Sequence, residues 1–95
     1  METKTTQRGF KKGEFTDGYN NKCSLQESSS AENYYIWLGI DNPKVTIFDS
    51  ANPGTYVKTE VPNNWMIEGR MHLSRRQVAE LLPSLQHFVA TGELL

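Results

Sequence analysis

The sequence has little of what stabilises or anchors a small protein other than a core. Cys23 is its only cysteine, so no intramolecular disulfide can form, and the chain reads as an intracellular, cytoplasmic protein. No apolar run approaches the roughly 18 residues of a membrane span, and the opening METKTTQRGFKKG lacks the apolar stretch of a signal peptide. Neither secretion nor membrane attachment is expected. Charge of one sign is lacking too. The net charge is −1, so no global field draws the chain to nucleic acid or to an anionic membrane. One cysteine and two histidines, none near another, do not make the closely spaced ligand set of a metal site. No glycine-rich phosphate loop is present, since Gly54 and Gly69 stand alone. No metal and no cofactor are expected.

What is present suffices for one small domain. Ninety-five residues with 37% hydrophobic and 11% aromatic content lie above the range of wholesale disorder. Residues 1–12 are polar and aperiodic and carry Lys4, Arg8, Lys11 and Lys12 against Glu2. They read as a flexible basic tail or the start of an edge strand, leaving residues 13–95 as a single α+β domain.

Within that domain, Glu14–Asp17 and Lys22–Gln26 flank Gly18-Tyr19-Asn20-Asn21, the pattern of a β-hairpin. Cys23 shares its parity with Leu25, which makes it a small core residue rather than a nucleophile. After a polar break at 28–33, Tyr34-Tyr35-Ile36-Trp37-Leu38-Gly39-Ile40 reads as a central strand covered on both faces. Lys44–Phe48 alternates and is expected to pair back on it as a second hairpin. Residues 50–64 form a loop-rich excursion with a short strand near Tyr56, and Trp65–Leu73 is extended around a bulge at Gly69.

The C-terminal part carries the strongest local signals. Ser74 with Gln77 three residues on is a capping box, Leu73 and Val78 form a hydrophobic staple, and Gly92 is placed to end the helix. Val78, Leu81, Leu82, Leu85, Phe88 and Val89 make one apolar stripe. Pro83 falls inside it without breaking its phase, so one kinked helix is expected, packed on one face of a mainly antiparallel sheet.

Candidate chemistry is sparse. A Cys23–histidine thiolate pair needs a proximity that nothing in the sequence supplies. Asp17, Asp41 and Asp49 sit beside turn residues and are better read as turn caps. Scattered acids give no pattern of paired carboxylates, and an enzyme is not expected. Arg70 and His72 share one strand face, and Arg75 and Arg76 stand in the first helical turn, where cations oppose the helix dipole. Beside free helix N-terminal amides they can hold an anion or phosphate. Tyr19 and Tyr34, with Tyr35, can offer stacking faces to a nucleobase. The plainer readings are solvated arginines and tyrosines used for packing.

Two segments carry a resemblance. One is Glu14-Phe15, Asp17, Tyr19, Cys23-Ser24-Leu25-Gln26 and Ser28-Ser29, leading to Ile36-Trp37-Leu38-Gly39. The other is Arg70-Met71-His72-Leu73-Ser74-Arg75, Gln77-Val78-Ala79, Leu81-Leu82-Pro83, Leu85, Phe88-Val89 and Thr91-Gly92-Glu93-Leu94. Together, over residues 14–40 and 65–95, they resemble small proteins of unknown function carried by bacteriophages, prophages and bacterial metagenomes. Residues 41–64 depart from that pattern. The resemblance implies a protein of the host cytoplasm, of a size common among accessory factors that inhibit a defence protein or sequester a nucleotide signal. The expectation is a non-enzymatic counter-defence protein binding a host protein or a nucleotide-like anion through Arg70, His72, Arg75, Arg76, Tyr19 and Tyr34. A homo-oligomer is among the forms this reading allows. The alternatives are a nucleic-acid-binding accessory protein, with the basic tail on phosphates, and a structural or assembly protein.

Overall fold

The computed structural model describes residues 1–30 and 34–95. Its strands are β1 (Thr3–Thr5), β2 (Lys11–Thr16), β3 (Lys22–Glu27), β4 (Tyr35–Ile40), β5 (Thr46–Phe48), β6 (Tyr56–Lys58) and β7 (Arg70–Ser74). One helix, α1 (Arg75–Thr91), follows them. The main sheet is antiparallel, in the order β1-β2-β3-β4-β7, and β5 and β6 form a separate two-stranded ribbon. The fold is α+β, as the sequence pattern predicts. Of the polar break at 28–33, residues 31–33 lie outside the described residues.

The β2–β3 hairpin forms where the turn residues place it. Asp17 closes it, its carboxylate accepting the backbone N–H groups of Tyr19 and Asn21 and the Asn21 side-chain amide, each at 2.9 Å. Asn20 takes the left-handed conformation at φ 63°, which asparagine tolerates better than most residues. These bonds, the Asn21 side-chain amide first, hold the Asp17 carboxyl below its ordinary value. Asp49 is held low in the same way by Asn52 and the Ala51 N–H, in the loop between β5 and β6. Asp41 does something else: it accepts the hydroxyl of Ser24, which is fully buried.

Two expectations are corrected, and an open reading is decided. Of the two readings of segment 1–12, the edge strand is the one that forms. Thr3, Lys4 and Thr5 pair with Gly13, Lys12 and Lys11, so the segment supplies the edge strand β1 and the opening of β2. Lys44–Phe48 does not return to β4. Its residues 46–48 pair with Tyr56–Lys58 instead, because β7 takes the free edge of β4. The helix keeps its capping box, its left-handed Gly92 at φ 81° and its continuity through Pro83, but it is not packed down its length on the sheet. None of its residues is buried. The cause is local: Ser74 is both the last residue of β7 and the N-cap, so no turn intervenes to fold α1 back over the sheet. Only its first two turns, at Val78, Ala79 and Leu82, share a cleft with Ile36 and Leu73.

The seam between β4 and β7 is made by glycine. Gly39 has φ 149°, and a Cβ there would run into the Gly69 carbonyl and the Cα of Arg70. The same carbonyl accepts the Ile40 N–H at 2.8 Å.

Two outcomes follow. Gly39→Ala should lower the unfolding free energy by about 2 kcal/mol or more, through steric conflict and backbone strain. Gly18→Ala, where the added methyl meets open space, should change it by no more than about 0.5 kcal/mol; urea denaturation of both variants measures the difference. Because the Asp17 and Asp49 carboxyls are lowered in the fold, their contribution is complete above the ordinary carboxylate range. It is lost as pH falls below about 4 through the folded-state values. Side-chain carboxyl shifts in an NMR titration should therefore move, for these two, at a pH below the ordinary aspartate value.

Candidate functional site

Alternation along the strands sorts the main sheet into two unlike faces. Lys4 stands opposite Lys12, Lys12 opposite Gln26, Gln26 opposite Trp37, and Trp37 opposite His72. One cross-strand row thus runs over all the strands of the main sheet, and every member is basic, amidic or aromatic. The neighbouring register pair, Gly39 with Arg70, puts the arginine on the same face.

The side chains in this region touch in order. The His72 ring stacks on Trp37 with centroids 4.1 Å apart and on Tyr35 at 4.5 Å. The Arg70 guanidinium lies 5.3 Å from the Trp37 ring centre, within cation–π range. Arg70 Nη1 donates to Gln26 Oε1 at 3.1 Å, and His72 Nε2 shares a hydrogen bond with Ser28 Oγ at 2.9 Å. His72 remains exposed, and Arg70 and Trp37 are half-buried. The result is a row of π-faces with a cation at one end, its orientation fixed by two side-chain hydrogen bonds.

A groove of about 430 Å³ opens beside this row, its lining including Arg8, Phe10, Gln26, Glu27, Trp37 and Arg70. Two guanidinium groups, two aromatic rings and one carboxylate therefore border one concavity, in which the cations outnumber the acid. Such a surface can stack a planar ring and meet an anionic group with charge-assisted hydrogen bonds.

The residues singled out from sequence do not gather in one place. Arg70 and His72 stand together on the polar face. Arg75 lies 5.9 Å from the Tyr34 ring centre, at the start of α1. Arg76 turns to Glu80, 3.7 Å away, in an exposed helical ion pair. Tyr19 is at the tip of the β2–β3 hairpin, beside the end of β4 remote from Tyr34. Sequence reasoning missed Trp37, Gln26, Ser28 and Arg8. Trp37 was assigned to a strand covered on both faces, and Arg8 to a tail. The available signal was the shared parity of Tyr35 and Trp37 in β4 with Arg70 and His72 in β7.

The thiol chemistry considered from sequence finds no partner in this geometry. Cys23 pairs with Phe15 and Ile40 on the apolar face, opposite to His72, and is 3% exposed. Its Sγ–H donates to the Asn21 carbonyl at 3.5 Å. Burial, then the charges of Asp17 and Asp41, push the thiol pKa up. Among the described residues, no cluster of His, Cys, Asp and Glu could hold a metal ion, and no helix is long and apolar enough to cross a membrane. Cys23 should consequently react slowly with an aromatic disulfide reagent at pH 8 and quickly once urea exposes it. Equal rates in the two conditions would contradict its placement.

Compared with known proteins, the chain matches no family model, no curated protein and no solved structure.

Proposed function

We propose that the chain is a non-enzymatic binding protein whose polar sheet face takes an aromatic anion of nucleotide type. The observation that carries this reading is the contact order Arg70–Trp37–His72–Tyr35 beside a groove that also holds Arg8. A nucleobase needs a flat, polarisable surface, and Trp37 and His72 provide one. A phosphate needs fixed donors, and Arg70, steadied by Gln26, is one. The biological setting comes from the resemblance of residues 14–40 and 65–95 to small phage proteins. In that setting the protein acts in the cytoplasm of an infected host as a counter-defence factor, sequestering a nucleotide signal. The alternative of a bound host protein would use the same face.

A second reading has its own observation. Lys4 and Lys12 lie in the same cross-strand row as Trp37, a combination of backbone cations and stacking surface that suits single-stranded nucleic acid.

Fluorescence separates these readings. A Trp65→Phe variant leaves Trp37 as the sole tryptophan, and its emission should be quenched saturably by mononucleotides or cyclic and linear oligonucleotide signals. Arg70→Ala should weaken that binding by at least about 10-fold, the value of one charge-assisted hydrogen bond. Quenching only by longer single strands, with a steep loss as salt rises, favours the second reading. A Trp37 signal indifferent to all of them removes both.

A further inference from the structure

The face away from Trp37 is apolar and only partly covered, with Leu25, Ile36, Leu38 and Leu73 half-buried and Met71 exposed. Leu25, Leu38 and Met71 form one cross-strand row there, and Ile36 stands opposite Leu73 in the next. The α1 stripe adds Leu81, Leu82, Leu85, Phe88 and Val89, all exposed, with Phe88 at 53% and Val89 at 86%. The two surfaces meet in a cleft of about 570 Å³ whose apolar lining includes Ile36, Leu73, Val78 and Leu82. Cys23 and Ser24 are the only buried side chains among the described residues.

The size of this uncovered surface identifies what covers it. The accessible area is 8281 Å², about 2,700 Å² more than a compact monomer of 10.8 kDa exposes. The radius of gyration is 16.9 Å, against about 12 Å for a compact chain of this length. A standard-size specific interface covers about 800 Å² per partner, and an obligate homodimer about 1,000–2,500 Å². The surplus belongs to the whole chain, the separate β5–β6 ribbon included, and it leaves room for a contact of the obligate kind. A chain whose core is completed only by its partner needs that partner whenever it folds, and a second copy of itself is always present. With a net charge of −1, two copies scarcely repel.

We infer that α1 and the apolar sheet face are covered by a second copy of this chain in a two-fold dimer, with the two α1 helices antiparallel. The direction follows from charge. α1 has no acid in its first turn and no base in its last. Instead it opens with Arg75 and Arg76, which oppose its own dipole, and Glu93 lies just past its end. Arg76 is held by Glu80 on the far side of the helix, whereas Arg75 borders the cleft with Val78 and Leu82. Antiparallel pairing sets Arg75 of each copy beside the C-terminal end and Glu93 of the other helix, where opposite charge is favoured. Pairing centred between Leu82 and Leu85 also puts Val78 of one copy opposite Val89 of the other, apolar against apolar. An isologous contact of this kind closes on itself and leaves no further apolar patch of α1 to propagate. The dimer does not depend on the nucleotide reading, since Trp37 and Arg70 lie on the opposite side of the sheet.

Equilibrium sedimentation of the full 95-residue chain tests it. The expected result is a species of twice 10.8 kDa, with a thermal midpoint that rises with protein concentration. Leu85→Glu should weaken self-association by at least about 100-fold, as a buried anchor of an interface does. Glu80→Gln, on the other side of α1, should leave it unchanged. If Leu85→Glu prevents folding, Val89→Glu near the helix end gives the same readout with a smaller disturbance. On oxidation, a Val78→Cys chain should join a Val89→Cys chain; self-linked Val78→Cys without that mixed product overturns the orientation. A cooperatively folding monomer with a concentration-independent midpoint overturns the dimer itself, as does a dimer that neither glutamate variant weakens.

Discussion

The register between β4 and β7 is the constraint on which the rest of the molecule depends. Trp37 faces His72 and Leu38 faces Met71 because Gly39 and Gly69 let the two backbones approach where any side chain would hold them apart. A slip of one residue would move His72 and Arg70 to the apolar face and Met71 and Leu73 to the polar one. The stacked row, the Arg70–Gln26 bond and the His72–Ser28 bond all presuppose the observed pairing. So does the start of α1, since Ser74 ends β7 before it caps the helix.

The same pairing explains why the molecule has two chemically distinct sides. Strands with one buried face usually alternate apolar and polar residues, and β4 does not: Tyr35 and Trp37 are as large and nearly as apolar as Ile36 and Leu38. Read along the chain, this looks like a strand buried on both sides. In space, the neighbours decide. Trp37 is flanked by Gln26 and His72, whereas Leu38 is flanked by Leu25 and Met71. An aromatic residue among polar partners is available for stacking, and an aliphatic one among aliphatic partners wants cover.

Features encoded by neighbouring residues were legible in the sequence. The Asp17–Asn21 turn, the Ser74–Gln77 capping box and the Gly92 terminus each depend on groups a few positions apart, and each forms as read. Features that depend on distant pairing were not. Nothing near Lys44 announces that β4 has already been taken by β7, and nothing near Thr3 announces that Gly13 and Lys12 will accept it as an edge. The site was half legible for the same reason. The shared parity of Arg70 and His72 is local, but their meeting with Trp37, Gln26 and Arg8 needs contacts across 33 or more positions, which periodicity does not encode.

The helix shows how a correctly read pattern can lead to a wrong packing partner. Its stripe has the phase and width of one that must be buried, and its own sheet covers only the first two turns. Amphipathicity specifies that a face is covered and says nothing about which chain covers it. The arginines at its start sharpen the point. They oppose the dipole of the helix that carries them, yet Arg75 complements the end of an identical helix running the other way. Arg76 is taken up by Glu80; on the dimer proposed above Arg75 belongs to assembly, and Arg70 with Trp37 and His72 is the face left for the proposed ligand. The two proposed surfaces lie on opposite sides of one sheet, separated by the alternation of its strands.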